Sequence, residues 1–70
     1  MEIIIYKVDG MLDTDSAVRV YDVLISMPSV ESVYVDPAEK TIKVTLEGGT
    51  PREVRAAIEK LGYLIVAENH

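Results

Sequence analysis

Seventy residues, 49% of them apolar and with neither Phe nor Trp, describe one small domain spanning residues 1–70, with a core of Val, Ile, Leu, Ala and Met. A net charge of −5, with seven Lys and Arg scattered along the chain, leaves no basic stripe for nucleic acid and no patch for an anionic membrane surface. Cysteine is absent, which excludes disulfides, zinc–thiolate centres and thiol catalysis.

No apolar run approaches the roughly 20 residues of a membrane span. The first residues lack a basic segment followed by an apolar one, so a cytoplasmic location is expected. Residues 2–8 are β-branched and aromatic and read as a strand. Ile3, Ile4 and Ile5 run on without a polar break, which suits a central strand apolar on both faces. Asp9-Gly10 ends it in a turn. Asp13, Thr14 and Asp15 supply N-cap chemistry for a helix whose apolar stripe is Ala17, Val20, Val23, Leu24 and Met27. Pro28 stops that helix.

Residues 29–36 form the second predicted strand, with Val33 and Val35 on one face and Tyr34 on the other. Asp36 to Lys40 is a hairpin turn of type I chemistry. In residues 41–46, Ile42, Val44 and Leu46 alternate with Lys43 and Thr45, the pattern of a half-buried strand. Gly48-Gly49 breaks it. Thr50, Pro51 and Glu53 then make a capping box with Pro at the first helical position. Val54, Ala57, Ile58 and Leu61 are the buried stripe, and Gly62 is the C′ terminator. Residues 63–68 are the last strand. The order β-α-β-β-α-β closes most simply as a ferredoxin-like α+β sandwich. It predicts a four-stranded antiparallel sheet in the order 4-1-3-2, with both helices on one face. Tyr6 and Tyr34 are expected on the open face.

Three segments carry a family resemblance: Gly10-Met11, the helix end Leu24-x-x-Met27-Pro28-x-Val30, and Glu59-Lys60-Leu61-Gly62-Tyr63. Together they resemble the heavy-metal-associated domain family of copper metallochaperones and P-type ATPase modules, over about residues 3 to 66. That family's motif is Gly-Met, one residue, Cys, two residues, Cys. The resemblance puts Asp13 at the first Cys position and Ser16 at the second, so both thiolates are replaced. Ser29 stands where the family usually has Gly. Two thiolates at a helix N-terminus hold a soft Cu(I) ion; a carboxylate and a hydroxyl are hard donors. The resemblance therefore implies fold and ancestry, and does not carry Cu(I) chaperoning across.

Candidate site residues have competing readings. Asp9, Asp13 and Asp15, with Ser16, are either oxygen donors for a weakly held Mg²⁺ or Ca²⁺, or a turn residue and helix caps matched to the helix dipole. As metal ligands the set is Asp13, Asp15 and Ser16, and no other cofactor is expected. By the resemblance, Met11 and Tyr63 support the loop, Met11 by packing and Tyr63 by shielding it. Met11 as a thioether ligand is the competing reading. His70 is placed about 20 Å away along the last strand, too far to complete a site there. No nucleophile–base set or phosphate loop is present, so no enzymatic activity is expected.

Two functions follow. The first is a degenerate metal-transport module that has lost its Cu(I) site. The second is a protein-interaction or self-association module working through an exposed sheet edge, residues 29–36 or 63–68. Of these edges the second has no Pro and no central Lys. A small-molecule regulatory module of the same element order ranks third, because its glycine-rich first turn is not evident.

Overall fold

The protein is described by a computed structural model covering residues 1–10, 13–49 and 51–69. The elements are β1 (Glu2–Asp9), α1 (Thr14–Ile25), β2 (Val30–Asp36), β3 (Thr41–Leu46), α2 (Pro51–Lys60) and β4 (Leu64–Asn69). All strand pairs are antiparallel, in the order β2-β3-β1-β4, so β1 and β3 are central. This is the sheet expected from the sequence, written from its other edge.

The register fixes which side chains meet the helices. Ile4 lies opposite Val44, and Tyr6 opposite Ile42. These four, with Val8 and Leu46, form the sheet side of the core. Val20 and Leu24 of α1 and Val54 and Ile58 of α2 close it from above, all fully buried. Ala17, Val23 and Met27 are half-buried, so the predicted α1 stripe faces inward with its edges partly wet. Burying this apolar set is the main drive for closure.

Local chemistry sets the boundaries. The Asp36 carboxylate accepts hydrogen bonds from the amides of Ala38 (3.1 Å) and Glu39 (3.3 Å), and Lys40 closes the hairpin at φ 55. Pro51 opens α2, where its missing N–H costs nothing. Thr50, the predicted cap, lies outside the described residues. Gly62, at φ +99, ends α2 as a left-handed C′ residue. Two strands begin one residue later than the sequence suggests. The Val30 amide bonds back to the Met27 carbonyl (3.1 Å) in the turn after α1, which leaves Ser29 outside β2. β4 starts at Leu64, opposite Asp9, rather than at Tyr63.

Tyr6 corrects an expectation. It is not on the open face but wholly buried, and its hydroxyl donates to the Pro51 carbonyl at 3.2 Å. The phase of β1 was readable after all. Lys7 and Asp9 need water, so Ile3 and Ile5 share their face and the even positions turn inward. Tyr34 does sit on the open face, 63% exposed.

Burial, and then the Glu68 carboxylate, push the Tyr6 hydroxyl up to about 12 from its usual 10.0. Its folded pKa lies above the unfolded one. Its contribution is therefore complete below pH 10 and is lost as pH rises from about 10 through about 12. Tyr6→Phe should cost about 0.5–1.5 kcal/mol at neutral pH. It should also flatten the alkaline fall in the urea midpoint. Parallel denaturation series of both proteins between neutrality and pH 12 check this.

Candidate functional site

The candidate loop leaves β1 at Asp9 and enters α1 at Thr14. Gly10 makes the exit at φ +130, a conformation that a side chain at this position would strain. A Cβ built on Gly10 would come within 3.3 Å of Tyr63 Cδ1, so the Tyr63 ring lies against the backbone where the loop begins. β4 starts beside this point, with Leu64 opposite Asp9, and runs away from it until Asn69 pairs with Ile5. Met11, Leu12 and His70 lie outside the described residues. The loop-supporting and ligand readings of Met11, and the remoteness of His70, rest on sequence alone.

Asp13 is the N-cap of α1. Its backbone is extended (φ −95, ψ −176), and its side chain accepts the Ser16 amide at 2.8 Å. Its own carbonyl accepts the first helical bond, from the Ala17 amide at 2.8 Å. The two positions that the sequence pairs, 13 and 16, are thus joined, but carboxylate to backbone amide across one helical turn. That amide bond, followed by the Ser16 hydroxyl, holds the Asp13 carboxyl below its ordinary 3.8. Charge and geometry together match a helix cap.

Asp15 is exposed in the first turn of α1 and Asp9 is exposed at the end of β1. Among the described residues, no three His, Cys, Asp or Glu side chains gather closely enough to hold an ion. Asp13, Asp15 and Ser16 lie within one helical turn, where the Asp13 carboxylate accepts from the Ser16 amide. The donor set is oxygen only and does not fit a thiophilic ion.

A shallow apolar hollow of about 270 Å³ runs from Thr14 along α1, over Ala17, Val18 and Tyr21 to Val35 and Pro37. Val18 and Tyr21 are exposed apolar residues beside the loop. In the sequence they adjoin the buried stripe of α1 and carry no separate signal. Val18 and Tyr21, three residues apart, widen the stripe beyond Ala17 at helical spacing. A wider hollow of about 490 Å³ lies on the open sheet face, where Ile3, Tyr34, Lys43 and Thr45 meet.

Comparison with known proteins follows the fold closely. The model for the heavy-metal-associated domain matches residues 5–63. No curated protein matches the sequence. Among solved structures, the CopZ metallochaperone superposes with a TM-score of 0.86 at 24% identity, covering 93% of this chain and 100% of its own. The N-terminal domain of ZntA in its Zn(II)-form gives a TM-score of 0.82 at 25% identity, with coverage of 90% and 86%. The N-terminal domain of PacS from Synechocystis PCC6803 gives 0.81 at 23% identity, with coverage of 96% and 100%.

The capping bond has a pH signature. The folded carboxyl of Asp13 ionises more readily than the unfolded one, so its contribution is present above the unfolded value of 3.8. It is lost as pH falls through the lower, folded value. Asp13→Asn should keep the cap and remove this acid-side dependence, whereas Asp13→Ala should lower the urea midpoint at neutral pH as well. Urea titrations of the three proteins at pH 7 and below pH 4 check it.

Proposed function

Because this chain belongs to the heavy-metal-associated domain family and brings no thiolate to that family's metal loop, we propose that it is a degenerate, non-enzymatic metal-transport module. In this reading it keeps the family frame, has lost the Cu(I) site, and binds a hard divalent cation weakly if at all. Its remaining work is docking to a protein partner. The observation that carries the reading is the Asp13 carboxylate spent on the Ser16 amide at 2.8 Å. A soft monovalent ion prefers thiolate donors, and positions 13 and 16 offer only oxygen. Magnesium prefers one or two carboxylates plus several waters, so Asp13 and Asp15 give it a foothold without a cage. The frame around the loop supports descent: Gly10 against Tyr63, and Gly62 closing α2 just before it.

A second reading is association through a sheet edge. It is favoured by the exposed Leu64 and Val66 on β4, 62% and 55% accessible.

The frame can be tested by giving it back its donors. The double variant Asp13→Cys/Ser16→Cys should withdraw Cu(I) from a chromogenic chelator at one ion per chain, with the parent protein withdrawing none. In the parent, Mg²⁺ or Ca²⁺ should move the Asp13–Ser16 amide resonances only at millimolar levels. Failure of the double variant to hold Cu(I) would show that the loop frame has not been kept. Micromolar binding of a hard cation by the parent would reject the weak-affinity part.

A further inference from the structure

Among the described residues β4 is an outer strand, paired with β1. Leu64–Asn69 contains no Pro and no Lys, and of the usual guards of an open edge it carries a bulge. The β1–β4 register shifts between Lys7 and Val8. Ala67 pairs with Lys7 and Ile65 with Val8, which leaves Val66 as the extra residue of a bulge. Val66 is 55% exposed and Leu64 62%.

Charge separates this edge from the other one. Arg52, Arg55 and Lys60 balance Glu53, Glu59 and Glu68, so the whole net charge of −5 lies in the first 50 residues. On the α2–β4 flank, Arg55 already pairs with Glu68 (3.2 Å) and lies 3.8 Å from Glu59. The β2 edge carries Glu31 and Asp36, and Asp15 and Asp22 lie on the α1 that packs beside it. Two copies of an acidic protein repel each other except where the surface is neutral. That surface is the edge with exposed aliphatic side chains.

We propose that two copies of this chain associate across a two-fold axis through β4, antiparallel, joining their four-stranded sheets. The inference rests on the edge-association reading and names its edge and its occupant, a second copy. The axis passes between Val66 and Ala67, the register at which facing residues of the two bulged strands share a side of the sheet, and Leu64 leaves water on each side. β4 begins beside the Asp9 end of β1 and runs away from it. An antiparallel pair therefore sets the two candidate loops at opposite ends, about 20 Å apart along the strands. The association then needs no metal, and both α1 N-termini stay open.

Sedimentation equilibrium of the intact chain with a chelator present, from micromolar to millimolar, should show a monomer–dimer equilibrium. Amide hydrogen exchange over Leu64–Asn69 should slow at the higher concentrations while β2 amides do not change. Val66→Lys should weaken the dimer about tenfold or more, and Tyr34→Lys on β2 should leave it unchanged. If Val66→Lys fails to fold, the exchange arm on the unmodified chain decides. A dimer broken by Tyr34→Lys, or one protecting β2 instead of β4, would overturn this assignment while sparing edge association in general. A monomer throughout the series would overturn both.

Discussion

The hydrogen bond from the Ser16 amide to the Asp13 carboxylate, 2.8 Å long, is the point on which the functional reading turns. It satisfies one of the orphan donors at the start of α1 and places negative charge at the positive end of the helix. The same loop, with sulfur at positions 13 and 16, would present two soft donors to solvent. With oxygen there, one donor is turned back onto the chain's own backbone and the other is a half-buried serine hydroxyl. The local structure is kept and the chemistry is changed. Stability gains a cap, and the thiolates that a thiophilic ion prefers are absent from positions 13 and 16.

That loop is held from below by the core. β1 delivers Gly10 to its place because Ile4, Tyr6 and Val8 are locked under the two helices. Tyr6 adds a polar tie to α2 through the Pro51 carbonyl, at 3.2 Å. Tyr63, just after α2, completes the arrangement by lying against Gly10. Packing therefore reaches the site from both ends of the chain. The frame residues are core residues or their neighbours, whereas Asp13 is exposed and Ser16 half-buried.

Much of this was legible in the residues. The element order, the sheet order and the inward stripes of both helices follow from period and capping signals, and the match to residues 5–63 agrees with the resemblance seen in Gly10-Met11 and Gly62-Tyr63. Three things were harder to read. Ile3, Ile4 and Ile5 carry no phase by themselves, which is why the expected outward Tyr6 is corrected by its burial in the structure. The exposed stripe of Val18 and Tyr21 is masked by the buried stripe it adjoins on α1. The bulge at Val66 has no local signature, because it arises from the pairing of β4 with β1 and not from β4 alone. Whether Asp13, Asp15 and Ser16 converge could not be judged from spacing either.

The central claim is that this fold, without a thiolate in its loop, does not take up monovalent copper. Native mass spectrometry of the unmodified chain, mixed anaerobically with one equivalent of Cu(I) and excess glutathione, tests it most directly. The account predicts a spectrum of metal-free protein at every charge state. A dominant one-copper adduct that survives the thiol competitor would contradict it.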